Sequence, residues 1–205
     1  MIVDKLVVGP YGSNCYIVGS EKMRVGMIID PGADGNRILK RVSELDISID
    51  TIVLTHGHMD HLGALQEVKN NSGAKVAIHE SEAESFAGRS SFMVGFSSPS
   101  KSMFEVLLND GDSIEVGDLK FTVIYTPGHT RGGISILGDG IIFTGDTLFN
   151  YGIGRYDLPG SSGQQLASSL RRLLELPDLI KVYPGHGPDT TIGNERQGNP
   201  FLRQI

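Results

Sequence analysis

The chain has 205 residues, of which 39% are hydrophobic and 20% are charged, and its formal net charge is −6. This length and composition predict one globular domain with a substantial core. The negative net charge and the absence of a run of Lys or Arg argue against a nucleic-acid partner. No apolar run approaches the roughly 20 residues of a membrane helix, and the N-terminus lacks the features of a signal peptide. We therefore expect a cytoplasmic protein without a membrane partner.

Short strands and helical patterns alternate in the first half of the chain. Apolar runs bounded by turn residues predict strands at 2–8, 14–18, 24–29, 51–54 and 75–79. Polar, periodic segments predict helices at 34–44, 62–70 and 80–87. The segment 88–102 is rich in Ser and Gly, and we expect a loop that forms a mobile flap or part of a pocket wall. The only cysteine, Cys15, lies in an apolar run, which favours a buried side chain over a reactive thiol.

The second half of the chain repeats this alternation. It predicts strands at 119–125, 133–137, 141–144 and 180–183, with turns at 110–111, 116–117 and 138–140. An amphipathic helix is expected at 161–176, ending at Pro177, and an irregular tail is expected after the last strand. Strands and helices that alternate in two similar halves favour an α/β sandwich over an all-β barrel.

Seven His and Asp residues that could bind metal follow four of the apolar strands. They are His56, His58, Asp60, His61, His129, Asp146 and His186. The first four belong to the segment T-H-G-H-M-D-H, and the others end the segments T-P-G-H, T-G-D and P-G-H. Functional residues of α/β folds gather in loops at the carboxyl ends of strands, so we expect these side chains to meet.

The spacing of these residues bears on the number of ions. His56, His58 and Asp60 step by two and could point the same way in an extended turn, whereas His61 must face elsewhere or begin a helix. One ion cannot readily use four ligands from one turn and three from distant loops, but seven ligands fit two ions that share a carboxylate. Imidazoles with carboxylates favour Zn²⁺ or Fe. Taken singly, Asp60 could cap a helix and any one histidine could be structural, but seven such placements make that alternative the weaker one.

These segments resemble the metallo-β-lactamase superfamily, whose signature H-x-H-x-D-H matches H-G-H-M-D-H. The resemblance covers nearly the whole chain and implies a four-layer αβ/βα sandwich with the site along one edge of two sheets. It also implies two ligand sets that share Asp146: His56, His58 and His129 for the first ion, and Asp60, His61 and His186 for the second.

The same resemblance bears on two further residues. Asp30, in the segment I-I-D-P-G-A-D, resembles the first motif of the family, which implies that its hydrogen bonds orient a metal-binding loop. The alternative is an aspartate that only forms the turn before Pro31. His79 matches no ligand position, and we expect a partly exposed structural histidine there.

The loop after Asp146, G-D-T-L-F-N-Y-G-I-G-R-Y-D-L-P-G, resembles the glyoxalase II and persulfide dioxygenase branch, where a G-x-G-[RK] segment follows the bridging aspartate. This implies that Arg155 binds a carboxylate of a glutathione moiety through two parallel hydrogen bonds. Tyr156 would add a wall to the site, and Arg131 would be a second cation near it. The alternatives are a surface pair between Arg155 and Asp157, and a solvated Arg131.

The chain also departs from the usual glyoxalase II. The segment after His186 is too short for the C-terminal helical domain that completes the glutathione site, so the chain resembles the short, single-domain bacterial proteins of this branch. We expect one domain, 1–205, with a small-molecule thioester of glutathione or another low-molecular-weight thiol as its partner. Asp157 stands where glyoxalase II has an aromatic contact, which leaves the identity of the thiol open.

The resemblance implies a hydrolase that cleaves S-2-hydroxyacylglutathione-like thioesters with two divalent ions, Zn²⁺ in the first place and Fe as the alternative. Two ions would lower the pKa of a shared water to about 7. Asp60 would steer that water or accept its proton, and Asp146 would hold both ions.

Other activities are compatible with parts of this pattern. The first alternative is a persulfide dioxygenase with one Fe(II) held by His56, His129 and Asp146. A lactonase fits less well because the G-I-G-R loop is not its expected signature, and an RNase Z-type nuclease would need a basic face. The missing signal peptide disfavours a β-lactamase, and the complete ligand set disfavours a non-catalytic metal-binding protein.

Overall fold

The computed structural model describes residues 1–86 and 101–204. The strands of the first half are β1 (Ile2–Val8), β2 (Ser13–Gly19), β3 (Val25–Ile29), β4 (Ser48–Val53), β5 (Lys75–His79), β6 (Val106–Leu108) and β7 (Ser113–Val116). The second half adds β8 (Leu119–Tyr125), β9 (Ile134–Gly138), β10 (Ile141–Gly145), β11 (Leu148–Phe149), β12 (Gly152–Ile153), β13 (Lys181–Pro184) and β14 (Thr190–Thr191). The helices are α1 (Gly35–Glu44), α2 (Met59–Leu62), α3 (Leu65–Ser72), α4 (Glu80–Ser85), α5 (Gly163–Leu174) and α6 (Ile192–Gly198), with 3-10 turns at Lys101–Met103 and Leu202–Gln204.

Two six-stranded sheets form the centre of the molecule. The first has the order β1-β2-β3-β4-β5-β6, antiparallel from β1 to β3 and parallel from β3 to β6. The second has the order β14-β13-β10-β9-β8-β7, in which only the neighbours β10 and β13 are parallel. The strands β11 and β12 form a separate hairpin beyond β10.

Three apolar clusters fill the spaces between four layers. All seven residues of β2 are buried, because successive side chains of a strand point to opposite faces and both faces are covered. Tyr16 of β2 packs with Phe121 and Phe143 of the second sheet, whereas Ile17 shares a cluster with residues of α1 and α3. On the outer face of the second sheet, α5 buries an apolar stripe at helical spacing: Leu166, Leu170 and Leu173. The predicted four-layer αβ/βα sandwich is confirmed.

The two halves of the chain contain the predicted strands, with ends that differ by up to three residues. Cys15 is fully buried, as expected, and burial raises the pKa of its thiol. Gly117 adopts a left-handed φ of 61° at the turn between β7 and β8, as the turn at 116–117 predicts. The expected flap at 88–102 falls almost entirely on 87–100, which lie outside the described residues. No helix in 1–86 or 101–204 is long and apolar enough to cross a membrane.

Two local predictions are wrong and a third is only partly confirmed, each for a tertiary reason. The helix predicted at 62–70 is interrupted between Leu62 and Leu65, where Ala64 N–H donates to the Pro31 carbonyl of a crossing loop at 2.9 Å. His79 is buried, because its ring stacks on Tyr125 with centroids 4.3 Å apart.

The other wrong prediction is the irregular tail. The segment contains β14 and α6, and the Thr191 side chain begins α6 by accepting a hydrogen bond from Asn194 N–H. The fully buried Glu195 carboxylate then accepts hydrogen bonds from Thr190 Oγ1, Asn199 Nδ2 and Tyr151 N–H. The bond from Tyr151 joins the tail to the hairpin of β11 and β12, a long-range contact that no local pattern indicates.

Candidate metal centre

The first predicted ligand set combines the loop after β4 with the loop after β8. The candidate ligand atoms of His56, His58 and His129 all lie within 4.8 Å of one another. His58 Nδ1 is 2.9 Å from His129 Nε2, and the buried Nε2 of His56 has no hydrogen-bond partner in the part of the chain that the structure describes. A buried polar atom without a partner costs free energy. The three converging nitrogens therefore fit a bound cation.

The second predicted set joins the same loop to the loop after β13. The candidate ligand atoms of Asp60, His61 and His186 also lie within 4.8 Å of one another. His186 Nε2 is 3.2 Å from Asp60 Oδ2 and 3.3 Å from His61 Nε2. One carboxylate and two imidazoles form a donor set that suits a divalent transition metal.

Asp146 lies between the two sets. Its Oδ1 is 3.4 Å from His61 Nε2, and its Oδ2 is 3.5 Å from His129 Nε2. Oδ1 is buried without a hydrogen-bond partner among the described residues. A Cβ at Gly185 would lie 2.2 Å from this Oδ1, so only glycine lets the P-G-H loop pass so close to the carboxylate. The position and the unpartnered oxygen fit a carboxylate shared by two ions.

Asp30 orients ligands of both sets. Its carboxylate accepts hydrogen bonds from Thr55 N–H at 2.7 Å and Thr55 Oγ1 at 2.5 Å, and it lies 3.0 Å from His61 Nδ1. A carboxylate can only accept here, so His61 Nδ1 carries a proton and Nε2 is the nitrogen that can bind a metal once it is deprotonated. Since the Thr55 hydroxyl donates to Asp30, it accepts from His56 Nδ1 at 3.1 Å, which leaves His56 Nε2 free to bind.

His129 is oriented from the loop that carries Arg155. Its Nδ1 donates to the Arg155 carbonyl oxygen at 2.8 Å, so Nε2 keeps its lone pair. The glycine before Arg155 allows this contact, because a Cβ at Gly154 would lie 1.8 Å from the Asp146 carbonyl oxygen. The backbone of the G-I-G-R segment therefore helps to orient His129, one of the predicted metal ligands.

The pKa of His56, in the first set, shifts in the opposite direction from those of His61 and His186, in the second. Burial, together with the neighbouring imidazoles, lowers the pKa of His56 well below its ordinary value. Burial also acts to lower the pKa of His61, but the hydrogen bond and charge of Asp30, with Asp146 and Asp60, outweigh it and raise that pKa to about 9. The hydrogen bond to Asp60 raises the pKa of His186.

The two candidate carboxylates have opposite pKa shifts. Burial raises the pKa of Asp146. Burial also acts to raise the pKa of Asp60, but the hydrogen bond from His186, the charge of His61 and the hydrogen bond from Ser13 bring it well below its ordinary value. Asp60 is therefore an anion whose charge favours the protonated forms of His61 and His186, and a metal cation that binds there competes with those protons.

The three residues predicted to bind substrate have different surroundings. Arg155 is exposed, and its Nε and Nη2 donate to the two oxygens of Asp157 at 2.9 and 3.0 Å, which is the surface pair considered as the alternative. Tyr156 is exposed and lines an apolar cavity of about 480 Å³ with Phe201 and residues of α5. Arg131 is exposed at a polar cleft of about 1000 Å³. Substrate binding by all three stays a prediction.

Several residues that organise the centre carry no sequence signal of their own. Ser13 Oγ donates to Asp60 Oδ2 at 3.0 Å, and Asn14 Nδ2 donates to the carbonyl oxygens of Pro184 and Gly187 on either side of His186, both at 2.9 Å. Tyr16 donates to the same Pro184 carbonyl at 2.6 Å. The strand β2 of the first sheet thus holds the ligand loop of the second sheet. Each of these partners is more than 40 residues away along the chain from its donor.

The model of the metallo-beta-lactamase superfamily matches residues 8–186 of the chain. The protein therefore belongs to the metallo-β-lactamase superfamily. Within it, the chain is 34% identical over 209 residues to the hydroxyacylglutathione hydrolase GloC of Haemophilus influenzae, with 98% of each protein covered. This similarity is consistent with the short glyoxalase II-like branch.

Solved structures give the same assignment of the fold. A crystal structure of the BLEG-1 B3 metallo-beta-lactamase superposes with a TM-score of 0.89 at 32% identity, covering 98% of this chain and 99% of that one. The structure of TTHA1623 in a di-iron-bound form superposes with a TM-score of 0.85 at 34% identity, covering 98% of this chain and 100% of that one. The structure of ETHE1 from Myxococcus xanthus superposes with a TM-score of 0.83 at 33% identity, covering 100% of this chain and 85% of that one. The family and the His/Asp cluster together define a centre for divalent metal ions.

Proposed function

We propose that the protein is a metal-dependent hydrolase of thioesters of the S-2-hydroxyacylglutathione type. The observation that carries the proposal is the second ligand set, Asp60, His61 and His186, which converges beside the first set, with Asp146 within 3.5 Å of a histidine in each. When bound, two ions supply a Lewis acid for the thioester carbonyl and a water whose pKa is near 7. The similarity to GloC supports the choice of thioester as substrate.

Individual residues of the chain have different roles in this reaction. The Asp60 side chain is 25% exposed and the Asp146 side chain 12%, so Asp60 is the carboxylate that solvent and substrate reach. Asp60 orients the attacking water and accepts its proton, and Ser13 holds the Asp60 carboxylate for this task. The single cysteine is fully buried, so Cys15 takes no part and no thiol nucleophile is required.

Two arginines can receive the carboxylates of the thiol carrier. Arg155 must exchange Asp157 for a substrate carboxylate, whereas Arg131 forms no ion pair within residues 1–86 and 101–204. Arg131 lines the polar cleft with Tyr125, Gln164 and Gln165, and Glu84 lies in the same lining. We assign the first carboxylate contact to Arg131 and a second, exchangeable contact to Arg155.

This assignment is tested by comparing two thioesters with the same acyl group, one carried by glutathione and one by an uncharged thiol. Arg131→Ala and Arg155→Ala should raise KM for the glutathione thioester, leave KM for the uncharged one unchanged and keep the metal content of the wild type. Arg171→Ala is the matched control, because Arg171 is an exposed arginine of α5 outside the cleft lining. Unchanged KM values in both variants would refute carboxylate recognition by these arginines.

A second candidate is a persulfide dioxygenase with one iron held by His56, His129 and Asp146. The G-I-G-R loop favours this candidate, because it resembles a branch that includes persulfide dioxygenases as well as glyoxalase II. The test is a substrate panel on metal-analysed protein, with S-lactoylglutathione, other acyl thioesters and glutathione persulfide. A β-lactam is included because of the similarity to BLEG-1. Near two metal equivalents and thioester cleavage without oxygen uptake support the hydrolase, whereas one iron and oxygen uptake on the persulfide would overturn it.

A further inference from the structure

A buried glutamate outside the ligand sets connects two of the metal-binding loops. Glu82 lies in the first turn of α4 and is 5% exposed. Its Oε1 accepts a hydrogen bond from Gly57 N–H at 3.0 Å, and its Oε2 accepts one from Gly132 N–H at 2.8 Å. The two donors are 75 residues apart in the chain, so one carboxylate holds two separate loops together.

These two loops supply all three histidines of the first ligand set. Gly57 stands between His56 and His58, and Gly132 follows His129 by three residues. The distance between the imidazoles of the two loops, 2.9 Å from His58 Nδ1 to His129 Nε2, therefore depends on a connection that Glu82 makes. A carboxylate suits this position because it has acceptor sites on both oxygens and no donor.

The two glycines let α4 approach both loops. A Cβ at Gly57 would lie 2.7 Å from Glu82 Oε1, and a Cβ at Gly132 would lie 2.4 Å from the backbone nitrogen of Glu82. Real Cβ atoms do not approach other atoms this closely, so a side chain at either position would push its loop away from the carboxylate. The glycines of H-G-H and T-R-G-G are thus explained by the same contact.

The second ligand set is held by different residues. Ser13 contacts Asp60, Asn14 holds the loop on either side of His186, and Asp30 contacts His61. The two described hydrogen bonds of the Glu82 carboxylate go to Gly57 and Gly132 and do not reach these residues. The Glu82 carboxylate therefore holds the backbone beside ligands of the first set, whereas Ser13 and Asn14 hold ligands of the second.

We propose that Glu82 is a positioning residue for the first ion, and that its loss weakens the binding of that ion selectively. The inference rests on the metal centre of the proposed hydrolase but not on its substrate. Glu82→Gln is the informative change, since an amide accepts through its oxygen only and its NH₂ group must face one of the two N–H donors. One of the two loops then loses its anchor while the shape of the side chain is kept.

The test measures the affinity of each ion site separately, with Co²⁺ as the probe. A His186→Ala background disables the second site, and a His58→Ala background disables the first. Glu82→Gln should weaken Co²⁺ binding roughly 10-fold in the His186→Ala background, the lower end of the range for residues that orient metal ligands. In the His58→Ala background the affinity should stay within about twofold of the parent.

Glu195→Gln is the matched control, because Glu195 is equally buried and accepts a backbone N–H from Tyr151, outside the two loops that Glu82 joins. It should lower the Tm without a selective effect on the first site. Where Glu82→Gln does not fold, Glu82→Asp keeps the charge but is too short to reach both loops, and the same criteria apply. Equal losses in the two backgrounds, or no loss in the His186→Ala background, would overturn the inference. A selective loss in a protein inactive on every thioester would contradict the proposed substrate alone.

Discussion

Asp30→Asn should weaken metal binding at both sites while the protein still folds, because one buried carboxylate orients His61 directly and His56 through Thr55. Asp30 is 2% exposed and adopts a left-handed φ of 53°, which Asn also tolerates. The carboxylate accepts two hydrogen bonds from Thr55 and contacts His61 Nδ1 at 3.0 Å. An amide presents one oxygen, so its NH₂ group must face at least one of these donors.

The magnitude follows from these contacts. A hydrogen bond to a charged group contributes about 1.5–3 kcal/mol, so losing one should lower the free energy of unfolding of the metal-free protein by that amount. Loss of the charge also makes His61 Nε2 a weaker ligand, and loss of such an orienting partner lowers metal affinity roughly 10- to 100-fold. The affinity for the first ion should fall less, since His56 is linked to Asp30 only through the Thr55 hydroxyl.

Urea unfolding of the metal-free protein and competition with a chelator measure the two effects. Asp34→Asn is the matched control, because Asp34 has a similar φ of 56° but a side chain that is 46% exposed. It should keep both metal affinities. If Asp30→Asn binds both ions as tightly as the wild type and loses only stability, Asp30 supports the fold alone and the orienting role is refuted.

Three further outcomes are expected. Asp146→Ala should lower the metal content at both sites and abolish turnover, and a fully metallated, active variant would contradict the shared carboxylate. Because the folded pKa of His61 is about 9 against an ordinary 6.5, its contribution to the stability of the metal-free protein is complete below about pH 6.5 and is lost as the pH rises through 9. Urea unfolding should show this decline while affinity for the second ion rises over the same range, and a flat profile of both would contradict the assignment. Ser13→Ala should lower kcat and spare metal content at the first site, since it removes the 3.0 Å bond to Asp60, and an unchanged kcat would exclude that role.

Local residue patterns were sufficient for most elements of the two sheets. The strand β2 shows why, since an uninterrupted apolar run can only be buried on both faces and so lies between layers. The same reasoning failed for the tail, where α6 depends on Glu195 and its partners in another hairpin. It also failed for His79, whose burial is due to Tyr125, distant in sequence. Patterns of one segment do not specify which other segment covers it.

The candidate site divides in the same way. The residue types and strand-end positions of the seven His and Asp residues were enough to predict a centre for divalent metal, because metal preference depends on ligand chemistry that is visible in the sequence. Only the tertiary structure decided which groups orient those ligands. Asn14 reaches the His186 loop across 170 residues, and Glu82 joins Gly57 to Gly132 from a third element. These contacts arise where the two sheets and α4 pack together, so their partners are determined by the fold as a whole and by no local stretch of it.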